Sequence, residues 1–541
     1  MISWLKILIC RNIYSFDRFM RRIILFLQLL LGVEMIYAQT ETEILNYSRL
    51  SYAGSARAAA MGGAFGALGG DISSWNLNPA AVGVFRKSSV TYTSVLNFSG
   101  NESGELTARK TSYLIGTVGG VLSGYVKDEK SDWKGFNLGF SYTDLSNNIQ
   151  NTRQQVYHSP TSLTDVYVWQ SQGYKPDELN IFTTGPFYDT YLLYQDENES
   201  YHSILETDGE TAEWVDQYQE IREKGYLGEF SIAGGTNYKD KLYLGAVLGI
   251  QWTYDKQRIL YSEIAEENAP SLLDFYEFRQ YRRTRGTGIN LKLGLIYRPV
   301  PAIRLGAAIH LPTWFTMEYT LENSVHTYFT TPTDPSVGRD KQEYEISNMA
   351  YGTYYDPYRY LANVRTPWRA FLCWGLVLGQ HVMLDVDYEY VDYSSAKYKR
   401  PAKWIYGSYE DDWEKDKIKT LSRSVDYDPI NRAIRSLYRP THNLRAGMEV
   451  RVNSWVSLRG GYGLQQSPYK HDVASFNKIY TYAGGIGLSV GLFFGDLSYT
   501  RRYSKNETCF YNENGITAQP LANKYTDQEI RLTIGLHIRS L

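Results

Sequence analysis

Cysteine is nearly missing from this sequence. There are three in 541 residues, Cys10, Cys373 and Cys509. They are too few and too far apart to staple a small exported domain, so no disulfide scaffold is expected. Charge excess is missing as well. The formal net charge is −2, which gives no electrostatic footprint for nucleic acid. Leu-rich helical patterning is scarce, and beyond the N-terminal region no apolar run is long enough to cross a membrane as a helix. Nucleotide-binding loops, nucleophile elbows, H-E-x-x-H and C-x-x-C are all absent. The eight histidines are scattered without metal-ligand spacing. Nothing points to an enzyme, a cofactor or a metal.

Tyrosine and glycine stand out instead, with 48 and 45 residues. Past residue 88 the chain alternates. Leu444, Ala446, Met448, Val450 and Val452 share one parity, against Arg445, Gly447, Glu449 and Arg451. Val382, Leu384, Val386, Tyr388 and Tyr390 oppose Asp385, Asp387 and Glu389. The last run sets Ile530, Leu532, Ile534, Leu536 and Ile538 against Arg531, Thr533, His537 and Arg539. Period-2 runs of this length signal transmembrane strands. About fourteen can be placed, among them 133–143, 226–238, 241–256, 285–299, 302–320 and 366–379. Six short and seven longer connections alternate, the long ones including 144–225, 257–284, 321–365, 394–437 and 505–526. The expectation is an all-β, antiparallel barrel over 88–541 in the outer membrane of a Gram-negative cell. Its termini and short turns face the periplasm and its long loops the exterior. A soluble β-sandwich would also alternate, but inward Arg, Asp and Glu fit a barrel lumen rather than a sandwich core. Arg304, Arg445, Arg459, Asp385, Asp387, Glu389 and Glu449 form the expected polar network of that lumen. Ion-pair ladders across strands and to a plug are one role for them, and contact with a ligand carboxylate is another.

One stretch fits neither helix nor strand. Gly54 to Gly83 (GSARAAAMGGAFGALGGDISSWNLNPAAVG) is half Gly and Ala and carries only Arg57 and Asp71 as charges. It is too rich in Gly for a stable helix and too apolar for a disordered linker. Such a segment needs walls around it, so 39–87 is expected to be a plug inside the barrel. Ahead of it, Arg21-Arg22, the apolar run Ile23 to Leu31 and Ala38 read as an export signal over 1–38, with Met20 an alternative start.

The loops are rich in aromatics, as in Tyr351 to Tyr360, and read as an upper aromatic belt or a hydrophobic landing groove. From Pro176 to Ile221 there is no Lys or Arg, giving a solvated acidic outer face.

The plug segment, with Asn78-Pro79-Ala80, resembles the hatch of the FadL/TodX family of outer-membrane transporters for hydrophobic compounds. Asn290 to Phe315 is similar to the family's central hairpin, and Leu384 to Ser394 and Leu444 to Tyr469 are also similar. The resemblance implies a monomeric 14-stranded barrel with an N-terminal hatch. It implies passive uptake of a hydrophobic small molecule, a long-chain fatty acid or an aromatic compound. Gly62, Gly63, Phe65, Asn78, Pro79 and Ala80 would serve as the gate, with lateral exit into outer-membrane lipid beside an inward-kinked strand. The Tyr-rich loops look like a Bacteroidetes-type relative. Such relatives include haemin receptors and barrels that dock a surface or periplasmic protein partner in type IX secretion. A transporter should show an apolar cavity beside the hatch and an interrupted wall. A docking barrel should show a filled lumen and a large apolar patch.

Overall fold

Alternation places apolar side chains on one face of each strand and polar ones on the other, and the structure turns the polar face inward. The computed structural model describes residues 43–125, 131–205, 214–265, 273–329, 342–347, 358–401, 418–419, 426–470 and 477–538. The expected export signal, Cys10 and most of Tyr351 to Tyr360 lie outside the described residues.

Fourteen staves form the wall. They are β1 Ser88–Ser103, β2 Leu106–Tyr125, β3 Trp133–Ser159, β4 Val215–Tyr238, β5 Leu242–Ala265 and β6 Leu273–Val300. Stave β7 has two segments, Ile303–His310 and Trp314–Phe329, and so has β8, Tyr358–Arg365 and Arg369–Leu378. The rest are β9 Val382–Asp392, β10 Pro440–Arg451, β11 Val456–Gln465, β12 Ile479–Val490, β13 Phe493–Thr508 and β14 Leu521–Ile538. Neighbours pair antiparallel, and β1 closes on β14 in unbroken register from Ser88↔Ile538 to Ser103↔Asn523. Closure joins β1 to β14, so neither terminal stave is left as a free edge. No helix among the described residues is long and apolar enough to cross a membrane.

The inversion of polarity is plain on β10. Leu444 and Met448 are 44% and 45% exposed, while Arg445 and Glu449 are 3% and 1% exposed. A water-soluble domain buries the opposite set. This is a transmembrane barrel.

Several staves run past the ends that alternation marks. β3, β4, β5 and β6 have 27, 24, 24 and 28 residues. A membrane crossing needs about ten. Above the membrane, outward positions no longer have to be apolar, as in Gln219 to Lys224, so the hydrophobic pattern stops while the backbone ladder continues. The long loop expected at 144–225 is therefore shorter, 160–214, and that expected at 257–284 shrinks to 266–272. β1 and β2 also meet in a tight turn at Gly104 and Glu105. The strand expected at 302–320 is broken at 311–313 and resumes to Phe329. The strand expected at 366–379 begins at Arg369, preceded by a separate upper segment. Pro312 and Pro367 sit in these breaks, where neither can donate to a ladder.

Helices α1 Ala56–Ala60, α2 Leu163–Ser171, α3 Thr184–Asp189 and α4 Asp428–Leu437 lie outside the wall, and residues 43–48 are helical as well. α1 lies in the lumen. α2 and α3 cover the top of β4–β7 around Tyr167, Phe187, Tyr261, Tyr276 and Phe278. α4 packs Ile430 and Ile434 on a second, aromatic cluster above the hatch.

Candidate functional site

The site is the contact between residues 43–87 and the barrel's inner wall. Local sequence shapes the hatch. Ser55 caps α1, its hydroxyl accepting from Ala58 N at 3.1 Å. The helix stops after one turn because Gly62 and Gly63 adopt φ of +67° and +78°. Two 3₁₀ turns follow, Ile72–Asn76 capped by Asp71 and Pro79–Val84 capped by Asn78. Pro79 opens the second turn, where its missing N–H costs nothing.

Small residues then let backbone meet backbone. A Cβ on wall Gly461 would lie 2.0 Å from the Met61 carbonyl carbon. One on Gly245 would lie 2.1 Å from the Pro79 oxygen, and one on Gly294 2.1 Å from Asn78 Oδ1. The Gly and Ala content of the hatch is matched by glycines on the wall.

Polar anchors fix the hatch at each level. Asn78 is fully buried, and its Nδ2 donates to Gly66 O at 2.8 Å and to Leu295 O of β6 at 3.2 Å. Its Oδ1 accepts from Ala80 N at 3.1 Å. Asp387 Oδ2 accepts from the backbone N–H groups of Phe65 and Gly66, at 2.8 and 3.0 Å. Asp385 Oδ2 accepts from Ala67 and Leu68 N–H at 3.2 and 3.1 Å. Arg304 donates to the Leu68 carbonyl. Glu449 takes Arg57 of α1 at 2.8 Å and Arg459 at 2.7 Å, and Arg459 continues to Asp496 at 2.6 Å. Glu389 holds Arg369 at 2.7 Å and also Arg445, whose guanidinium lies 4.8 Å from the Tyr52 ring centre.

Two groups of lumen charges thus separate. Glu389, Arg445, Glu449 and Arg459 make cross-strand ion pairs. Asp385, Asp387 and Arg304 bind the hatch backbone instead of ladder partners. A carboxylate accepting two N–H groups satisfies donors that a Gly-rich coil leaves open. Gly62 lies against the Tyr462 backbone of β11, Gly63 beside Arg445 and Tyr52, and Phe65 is buried with Arg57 5.0 Å from its ring centre.

Sequence reading missed several anchors. Glu229 is buried and meets Lys292 at 2.5 Å, with Gln251 and Asn290 donating to it. Arg531 donates to Gly54 O at 3.0 Å. His310 Nε2 donates to Leu77 O at 3.0 Å. Arg282 meets Glu43 at 2.5 Å. The parity rule marks Glu229, Gln251, Asn290, Lys292, His310 and Arg531 as inward, so alternation was the available signal for them; Arg282 falls in the stretch expected to be a loop and Glu43 in the hatch, where parity says nothing.

Burial pushes the Glu43 carboxyl up to about 7, against the pull of Arg282. Its second oxygen has no hydrogen-bond partner.

The segment 43–52 fills the space above α1. Ile44, Tyr47, Leu50 and Tyr52 join Phe315, Tyr319, Tyr360 and Phe371 in the aromatic cluster. Tyr47 and Phe315 ring centres are 6.2 Å apart, and Tyr52 and Phe371 5.6 Å. A cavity of about 600 Å³ lies on the other side of this segment, bounded by Ser51, Tyr52 and Gly63 and by Asn147, Gln150 and Arg502. Its lining mixes polar and apolar groups.

The wall is interrupted beside that cavity. β2 and β3 pair only from Tyr125↔Gly135 up to Thr117↔Thr143. Above this level β2 stays with β1 to Ser103↔Leu106, while β3 bulges at Asp144–Ser146 and stays with β4. The upper part of β3 leans into the lumen. Ile149 O accepts from Ser99 Oγ of β1 at 2.7 Å, and Gln154 donates to Asn523 of β14 at 2.9 Å. Ser51 N of the hatch donates to Leu145 O within the bulge at 2.7 Å. The breaks in β7 and β8 are stitched in contrast. Thr366 N donates to Thr313 O at 3.0 Å and Thr313 N to Thr366 Oγ1 at 2.8 Å.

No protein-family model and no curated protein matches the sequence. Solved structures do. A Pseudomonas aeruginosa FadL homologue aligns at 14% identity and a TM-score of 0.50, covering 90% of this chain and 98% of that one. The Ralstonia pickettii toluene transporter TbuX aligns at 13% identity and 0.47, over 90% and 98%. The P. putida toluene transporter TodX aligns at 11% and 0.46, over 90% and 99%. The likeness to the FadL homologue is one of fold, and it extends over nearly the whole length of that chain.

Proposed function

We propose that the protein is an outer-membrane channel for passive uptake of hydrophobic small molecules, long-chain fatty acids or aromatic compounds. The hatch is its gate and the β2–β3 seam its lateral exit. The observation that carries this reading is the Ser51–Leu145 hydrogen bond, which ties the hatch to the one unstitched interruption found in the described wall. A ligand arriving from the top would displace Ile44, Tyr47, Leu50 and Tyr52 from the aromatic cluster. An apolar molecule gains by leaving sideways into lipid rather than crossing a wet lumen. The driving force is its own gradient.

A second reading, a barrel that docks a protein partner, is favoured by the occupation of the apolar compartment by the chain's own side chains. One experiment divides the two. Ser51→Cys and Ser146→Cys, in a Cys509→Ser background, place a disulfide across the clasp. Cells carrying the oxidised protein should lose uptake of labelled fatty acid and toluene at least tenfold, and reductant should restore it. Unchanged uptake with the disulfide demonstrably formed removes the gate. No uptake by the unmodified protein removes the channel and leaves the docking reading.

A further inference from the structure

We propose that the outward face of β4, β5 and β6, just above the membrane's apolar band, binds the phosphorylated headgroups of outer-leaflet lipid. The inference rests on the outer-membrane reading above. On β5 the outward residues are Leu244, Ala246, Leu248, Ile250, Trp252 and Tyr254. At about 3.3 Å per residue and a tilt of about 40° they span about 25 Å along the barrel axis, the height of a barrel's apolar band. The next two outward residues are Lys256 and Arg258. Lys224 of β4 and Arg283 of β6 stand in register with Lys256, and Arg222 and Tyr281 with Arg258. Five cations therefore occupy two adjacent rows directly above the aromatic girdle. There Tyr226 stacks on Tyr254 at 5.9 Å and Trp252 on Tyr142 at 5.2 Å.

Like charges facing each other across a ladder repel. The chain itself does little to neutralise these. Arg222 pairs with Glu220 at 2.8 Å, a carboxylate that Arg153 also holds. Lys224, Lys256, Arg258 and Arg283 have no ion pair among the described residues. Lys256 and Arg258 share the face of Tyr281, at 5.1 and 5.8 Å from its ring centre. Arg283 Nε is buried without a partner. A cavity of about 660 Å³ opens at this place, lined by Arg222, Lys256, Arg258 and Tyr281 together with Glu322, which stands in register with Tyr281, and Glu345, which Arg279 holds. A phosphate fits this arrangement, since Arg binds it through two parallel N–H groups and Lys as a compact charge. Depth selects lipid over a soluble anion. The rows lie where headgroups lie, and acyl chains below them would rest on exposed Phe230, Ile250 and Ile289.

The test uses the full chain, purified in a non-ionic detergent without phosphate and titrated with bisphosphorylated lipid A or its dephosphorylated form. Native mass spectrometry reads the bound lipid. The wild type should retain the phosphorylated lipid. The Lys256→Gln, Arg258→Gln, Arg283→Gln variant should bind it at least tenfold more weakly, at the level of the dephosphorylated lipid. Equal binding of the two lipids, or an unchanged variant, overturns the proposal. So does inorganic phosphate that displaces the lipid at millimolar concentration, which marks a soluble-anion site. If the triple variant fails to give the heat-shifted gel band of a folded barrel, the single Arg258→Gln and Lys256→Gln variants carry the same comparison. Insertion of the wild type into liposomes is measured separately, and its failure removes the outer-membrane reading whatever the lipid result.

Discussion

Asn78 uses both of its amide donors and its amide oxygen to hold the hatch. It caps one turn, reaches back to Gly66 and crosses to Leu295 on the wall. Asn78→Ala removes three bonds in a buried place, at about 1 kcal/mol or more each. Uptake of labelled fatty acid should fall several-fold while the heat-shifted gel band of the folded barrel persists. Loss of that band would make Asn78 a folding residue rather than a gate. Asp385 and Asp387 offer a finer probe, because Asn at both positions keeps an acceptor and removes the charge. Hydrogen exchange at Phe65 to Leu68 should quicken by roughly tenfold, about 1.4 kcal/mol of lost charge assistance. Unchanged protection would show that the carboxylates are spectators. Glu43 ties the hatch to pH. Its carboxyl is raised from an ordinary value near 4.5 to about 7 when the segment 43–52 is docked. The docked state therefore binds the proton more tightly than the undocked one. Docking is most stable below about 4.5, weakens as pH rises to about 7 and is level above that. Proteolysis near residues 43–52 should increase across this window in the wild type and be flat in Glu43→Gln.

Elements show why parity matters more than residue type. Gly460 and Gly461 are neighbours on β11, and an added Cβ at Gly460 meets nothing within 4 Å while one at Gly461 collides with Met61 and Gly62. Gly460→Ala should leave stability within about 0.5 kcal/mol, whereas Gly461→Ala should displace the hatch at a cost of about 2 kcal/mol or more. Protease sensitivity of the hatch in folded barrels measures the difference. Equal behaviour would mean that the hatch is not seated against β11. The long staves carry a related lesson. Hydrophobic alternation ended on β3 to β6 at the membrane surface because lipid, not pairing, enforces it. Cross-strand contacts above that level, such as Arg153 with Glu220, are those of an ordinary solvated sheet.

At the scale of the whole molecule, the hatch and the wall are one packed unit. Removal of 43–87 would take Arg57 from Glu449, the Gly54 carbonyl from Arg531 and the backbone donors of Phe65 to Leu68 from Asp385 and Asp387, and would empty the middle of a fourteen-stranded tube. The hatchless barrel should conduct ions in a planar bilayer at least tenfold better than the intact protein. Equal conductance would mean that the hatch does not seal the lumen.

Much of this was legible in the sequence. Period-2 runs gave the strand type, the number of staves and the face of each side chain, since a fully extended backbone must alternate. The Gly- and Ala-rich stretch announced a segment needing walls, because no other environment suits so apolar and so flexible a chain. Parity names a face but never a partner, and there the sequence stops. Asp387 beside Phe65, Arg57 beside Glu449 and Ser51 on Leu145 are distant in the chain. They meet only because β1 closes on β14 and the hatch folds back into the ring. The seam between β2 and β3 was equally invisible, for it is set by where a bulge turns one strand inward, a matter of closure geometry and of hatch contacts rather than of local preference.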